Sequence, residues 1–286
     1  AFDEQKGRDN GPEILIPYIL GTEADWKNHY MYLRSYFVDH RYIKKDNKPI
    51  FMILHYNSDI GRMCEYWDEL AKKDGFDGIF FIFRYDKNEK KPQTEYVFKY
   101  EPSYSTWVSN SFSDKMLIKI KQILKIEGGL KKFNYDKSWA NLLRNARLMK
   151  NEHIYHTAFV SYDDTPRRGF DGKLVEGASP RRFEEYLSEL LKISEEQKKD
   201  FIFLIAWNEW GEGAYLEPDS VSKFDYLRCY LIQKTTHTPF VGAFCISTEV
   251  RNVKHHFGHA RAEVDVFNAP LDYHSSCSTT KSGCKH

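Results

Sequence analysis

Residues 201–219 read FIFLIAWNEWGEGAYLEPD, and the stretch changes character halfway along. Phe201 to Ile205 is a continuous apolar run without polar alternation, the pattern of a strand covered on both faces. A segment punctuated by Gly211, Gly213 and Pro218 follows, carrying Glu209, Glu212, Glu217 and Asp219 beside Trp207, Trp210 and Tyr215. Four carboxylates and three amphipathic rings just past a strand end are not a folding requirement. They suit a site that grips a hydroxyl-rich molecule and moves protons on it.

Strands and helices alternate on either side of this stretch. Glu23 to Val38 sets Trp26, Tyr30, Leu33 and Phe37 on one helical face, and Pro49 to His55 predicts a buried strand. Ile60, Met63, Cys64, Trp67, Leu70 and Ala71 predict a helix that ends near Gly75, and Gly78 to Phe83 predicts another strand. Arg84 to Glu95 is a charged loop. Asp114–Ile126 and Trp139–Met149 have helical periodicity, and Thr157–Ser161 is a short strand. Ser179 caps a helix that begins at Pro180 and turns Phe183, Leu187, Leu190 and Leu191 inward. A last helix spans Phe224–Gln233. Such alternation predicts an α/β fold, a parallel sheet covered by helices, with about four or five strand–helix units.

Glu209 and Glu212 can divide labour, one ionised as base and one protonated as acid. The bland alternative is a solvated acidic loop. Trp207, Trp210 and Tyr215 can form a platform for a sugar ring, although Trp207, next to the strand, equally suits the core. Asn208 offers a donor and an acceptor to a hydroxyl pair. In YDDTPRRG, residues 162–169, Arg167 or Arg168 can clamp a phosphate or orient a carboxylate, whereas Asp163, Asp164 and the following Thr-Pro are also turn chemistry. Arg41, Tyr42 and the Lys48-Pro49 pair lead into a strand and are read as structural. His55, Glu101 and Tyr104 follow strand ends and are weaker site candidates. Asp163-Asp164 is not a spaced Asp-x-Asp pair, so no metal is expected, and nothing in the chain calls for a cofactor.

Three blocks, in order, resemble a known family. FVDHRYIKKDNKPIF (37–51), YDDTPRRG (162–169) and AWNEWGEGAYLEPD (206–219) are similar to the blocks of WbsX-like polysaccharide-biosynthesis glycosyltransferases. That family is related to glycoside hydrolase family 99, the endo-α-mannosidases. The similarity covers roughly residues 14–231 and implies a (β/α)8 TIM-barrel domain. A closed barrel needs eight strands and about 250 residues, and the family's N-terminal Pro-Gln-Phe-His block has no counterpart here. The expectation is therefore an incomplete barrel over 14–234. Residues 1–13 are expected to be a loop remnant and 235–286 an irregular extension. The strands near 50–55, 79–83, 157–161 and 201–206 are expected to be parallel neighbours. The resemblance also implies roles: Glu209 assists the sugar's 2-hydroxyl in forming a 1,2-anhydro intermediate, Glu212 is acid and base at the glycosidic oxygen, and Glu217 binds hydroxyls. Tyr162 stands where the family has Trp, and Asp164 where it has Asn.

The chain has 286 residues, 16% of them aromatic, with a net charge of +1, which gives no electrostatic case for nucleic acid. No apolar run approaches the ~20 residues of a membrane helix. The five cysteines show no CxxC metal spacing, and their odd count argues against a disulfide framework and for a reducing, cytoplasmic setting. No signal peptide is seen, but the chain opens with Ala rather than Met. In the tail, His255, His256 and His259 are read as part of a poorly ordered extension rather than as ligands. The expected activity is glycosyl transfer from or to a carbohydrate, either nucleotide-linked or lipid-linked. A retaining endo-glycosidase and an inactive carbohydrate-binding fragment are the alternatives.

Overall fold

The computed structural model describes residues 4–7, 11–14, 19–85, 96–108, 112–124, 126, 130–236 and 240–244. The first elements are two short antiparallel strands, Glu4–Gly7 (β1) and Gly11–Ile14 (β2), where a bare loop was expected. The Gly-flanked Arg-Asp-Asn between them has hairpin composition, a signal that the absence of longer apolar runs conceals. Helix α1 (Glu23–Phe37) leads to Lys44–Lys45 (β3), which turns back antiparallel onto Lys48–Ile53 (β4). The turn residues Asp46 and Asn47 both have positive φ, 49° and 54°, a conformation that Asp and Asn tolerate and two-residue hairpins need.

Helix α2 (Ser58–Lys73) then crosses to Phe80–Arg84 (β5), which is followed by Tyr96–Phe98 (β6). A π-helical turn (Tyr104–Val108) leads into α3 (Phe112–Ile123), a short strand Lys131–Asn134 (β7) and α4 (Tyr135–Leu148). Next come Ile154–Phe159 (β8), α5 (Thr165–Arg168), Lys173–Glu176 (β9) and α6 (Pro180–Glu196). The final elements are Phe201–Ile205 (β10), Asn208–Glu209 (β11), Ala214–Tyr215 (β12), α7 (Asp225–Thr236) and Phe240–Phe244 (β13).

The main sheet has the order β13-β10-β8-β6-β5-β4-β3, and every pairing except β3–β4 is parallel. Spatial order follows chain order, and the sheet curls like half a barrel. Among the described residues its edges, β3 and β13, are not joined. The four expected strands are all present and parallel, with β6 inserted between β5 and β8.

Both sheet faces are buried, which is why the strands read as unbroken apolar runs. Ile50, Met52, Phe80, Ile82, Phe201, Phe203 and Ile205 pack on one face. On the other, α1 and α2 cover β4 and β5 through Trp26, Tyr30, Phe37 and Trp67, and the Trp67 indole donates to the Trp26 carbonyl at 2.8 Å. Trp139, Phe183, Leu187, Leu190 and Leu191 form a second cluster behind β8 and β10. Each such side chain stabilises the fold by about 1.5–3 kcal/mol. The Ser179 hydroxyl caps α6, accepting from the Arg182 N–H at 3.4 Å. Helix α7 runs past the expected boundary at 234, and β13 adds a parallel strand from a stretch expected to be irregular. Its apolar residues are hidden in a His- and Cys-rich tail. Cys64 and Cys229 are buried. Cys245, Cys277, Cys284, His255, His256 and His259, with most of the 84–95 loop, lie outside the described residues.

Candidate active site

The segment after β10 is built as a small hairpin. The Ala206 N–H donates to Ala214 O at 2.8 Å, and the Leu216 and Glu217 N–H groups donate to Trp207 O at 2.9 and 3.0 Å. β11 pairs antiparallel with β12 across a 3-10 turn, Trp210–Glu212. The hairpin is tied to the loop after β8: the Asp163 N–H donates to Glu212 O at 2.7 Å and the Ser161 hydroxyl to Gly213 O at 2.5 Å. Gly213 has φ 55°, and a Cβ there would lie 3.1 Å from Asp163 N, so both backbone conformation and close approach select glycine.

This scaffold holds Glu209 and Glu212 at the carboxyl end of a parallel strand, where α/β sheets keep their sites. Glu209 is only 7% exposed. Burial pushes its carboxyl up to about 7, the Glu212 charge adds to this, and Arg167 and the Gly211 and Glu212 N–H groups oppose it. Burial also raises Glu212, while the Arg167 guanidinium, donating through Nη2 to Oε1 at 3.0 Å, holds it down. Tyr100, just past β6, feels Glu212, Glu209, Arg84 and Arg167. Its hydroxyl is raised well above the ordinary phenol, by burial first. Tyr162, just past β8, is raised by burial and then by Glu212. Two carboxyls, two phenols and one guanidinium thus converge from the ends of β6, β8 and β10. At the next strand ends, Arg84 Nη2 lies 3.3 Å from His55 Nδ1.

The second acidic block behaves differently. Asp163 accepts from the Thr165 N–H (2.9 Å) and hydroxyl (2.6 Å). The Asp164 side chain is 4% exposed and pairs with Arg168 at 3.2 Å. It also accepts from the Lys173 N–H at 2.5 Å and the Tyr162 hydroxyl at 3.2 Å. Of the four side chains in this block, that of Arg167 hydrogen-bonds a glutamate carboxyl, whereas those of Asp163, Asp164 and Arg168 hold the turn and the last two act on Glu212 through charge alone.

Trp210 is half exposed, at 50%, and stacks on Tyr215 with centroids 3.8 Å apart and planes 14° from parallel. Glu217 accepts from the Trp210 indole at 2.6 Å and Asp219 from the Tyr215 hydroxyl at 2.9 Å, so each ring is braced by one acid. Asn208 sits half-buried on β11, whereas Trp207 packs against the α4–α6 cluster and not with this pair. Glu101 is buried and accepts from Ser105, and Arg41 pairs with Asp39 at the opposite end of β4. Reading the sequence alone missed Tyr100 and Arg84; their one signal is their place as the last polar residues after apolar runs. Among the described residues, no group of three His, Cys, Asp or Glu side chains could hold a metal ion. No helix among them is long and apolar enough to cross a membrane.

Comparison with known proteins joins this geometry to a family. The sequence profile described as "Glycosyltransferase WbsX" matches residues 4–230, beginning before the expected boundary at 14. The chain is also 30% identical over 146 residues to "Uncharacterized protein WxcX" of Xanthomonas campestris pv. campestris, in strains B100 and ATCC 33913. The aligned stretch is 49% of this chain and 20% of each relative, so the chain spans about a fifth of the length of these relatives. With the family profile running from β1 into α7, across the strand ends that carry Tyr100, Tyr162, Glu209 and Glu212, the chain belongs to the WbsX glycosyltransferase family.

Proposed function

We propose that this protein is a carbohydrate-active enzyme that transfers a glycosyl group in surface-polysaccharide synthesis, with Glu209 and Glu212 moving the protons. The observation that carries the reading is the pairing of two buried carboxyls of unequal environment on one hairpin. Only one of them has Arg167 as a direct partner. Burial disfavours charge on both, so they hold protons at a pH where ordinary carboxylates do not. Arg167 splits them: Glu212 is biased toward the ionised form and serves as base, and Glu209 keeps its proton near neutrality and serves as acid. These are the reverse of the roles implied by the family resemblance. The stacked Trp210–Tyr215 pair offers an apolar face to a sugar ring, with Asn208 and Glu217 beside it for hydroxyls.

The test is an assay of sugar transfer, and of release to water, using nucleotide-linked and lipid-linked sugars. Glu212→Gln preserves shape and removes the titrating group. It is expected to lower turnover about 100-fold or more with little change in substrate affinity. Near-normal turnover in that variant would remove the assignment. A donor whose leaving group needs no proton is expected to restore Glu209→Gln but not Glu212→Gln. The opposite pattern would return the two glutamates to the roles implied by the resemblance.

A further inference from the structure

Among the described residues, helix α3 turns a stripe of apolar side chains outward. Phe112, Met116, Ile120 and Ile123 recur at spacings of four, four and three, a single stripe, and Phe112 and Ile123 are 81% and 71% exposed. The other long helices for which burial is described bury theirs. Charge is equally uneven. Between residues 112 and 137 there are seven lysines and three acids, in a chain whose net charge is +1.

Beside the helix lies a cavity of about 180 Å³ whose lining includes Leu117, Ile118 and Phe133 together with Lys121, Lys132 and Lys137. Thr106 also lines it. Its hydroxyl is buried and has no hydrogen-bond partner among the described residues. Lys132 also pairs with Glu176 at 3.2 Å. An apolar stripe beside a lysine-lined cavity that also holds an unsatisfied hydroxyl is complementary to a surface that offers hydrocarbon and phosphate together. Helix α3 belongs to the connection leaving the carboxyl end of β6, the end that carries Tyr100. Trp107, in the turn before the helix, lies 5.1 Å from Tyr162 of the candidate active site and 5.7 Å from Phe133 of the cavity.

We propose that α3 docks the protein on an anionic phospholipid surface. Its apolar stripe enters the acyl boundary, and the lysine-lined cavity takes a lipid phosphate. This docking is independent of the glycosyl-transfer chemistry. It is tested by flotation of the full chain with vesicles of phosphatidylcholine alone and of phosphatidylcholine mixed with phosphatidylglycerol. Binding to the mixed vesicles only, weakened by salt, is the expected result. Phe112→Ser, Ile120→Ser and Ile123→Ser together should lower the partition at least about 100-fold, with the folded circular dichroism spectrum retained because all three are surface residues. Lys121→Ala with Lys137→Ala should lower it roughly tenfold, and Glu212→Gln should leave it unchanged.

The proposal falls if the unmodified chain binds neither vesicle or if the triple variant binds as well as it does. It also falls if the stripe mediates self-association in place of vesicle binding, or if inorganic phosphate occupies the cavity of a protein that ignores vesicles. None of these outcomes would bear on the glutamates, whose test is turnover.

Discussion

Two loops leave the adjacent parallel strands β8 and β10, and each carries a close pair of acids; both arginines beside them, Arg167 and Arg168, come from the loop after β8. In the loop after β8 the acids are spent. Asp163 is taken by Thr165, and Asp164 by Arg168, Tyr162 and the Lys173 N–H. In the loop after β10 they are not. Glu209 and Glu212 are buried with Arg167 as a shared cation, and both titrate above the ordinary carboxylate range. A carboxylate whose lone pairs are fully answered by donors is a structural part. One whose burial outweighs its donors keeps its proton to higher pH and can give it up to a substrate.

The contrast makes predictions of graded size. Glu212→Gln should cost about 100-fold or more in turnover while leaving denaturant unfolding almost unchanged. Asp164→Ala should do the opposite. It strands the Lys173 N–H and the Tyr162 hydroxyl and should destabilise the fold by about 2–4 kcal/mol, read from the urea midpoint. A loss below about 0.5 kcal/mol, the range of an ordinary surface change, would break the comparison. Arg167→Met should move the acidic limb of the turnover–pH profile upward by about 1 pH unit, because Glu212 loses the charge that favours its ionised form. A limb that stays in place would mean that Glu212 is not the group titrating there.

The smallest effect is on stability. The folded state raises Glu209 from its ordinary value of 4.5 to about 7, so across that window the folded chain binds more protons than the unfolded one. Stability should therefore fall as pH rises from 4.5 to about 7. Screened by solvent, the loss should be on the order of 1 kcal/mol, and Glu209→Gln should flatten it.

Much of this was legible in the residues because the relevant faces are simple. β4, β5 and β10 are buried on both sides and read as apolar runs; α1, α2 and α6 bury one face and read at helical spacing. β7 and β9 were not legible. KKFN and KLVE pair parallel with each other away from the main sheet, and neither is an apolar run. β13 was masked by the tail around it, and the π-helical turn has no simple period. In the site, Glu209, Glu212 and Arg167 stood out by type and spacing. The sorting of Arg167 from Arg168 did not, because it depends on which guanidinium the fold of the 163–173 loop turns toward β10. Tyr100 and Arg84 needed the strand order before they could be seen as neighbours of the glutamates.

Glu209 and Glu212 are buried carboxyls raised by that burial, and a direct reading of their protons is available. In the intact chain with 13C-labelled glutamate side chains, the two carboxyl resonances can be assigned by their loss in Glu209→Gln and Glu212→Gln and followed against pH. Glu209 is expected to titrate at about 7 and Glu212 above its ordinary value of 4.5, rising further in Arg167→Met. Both carboxyls titrating at about 4.5 would contradict this and leave the hairpin without a proton donor.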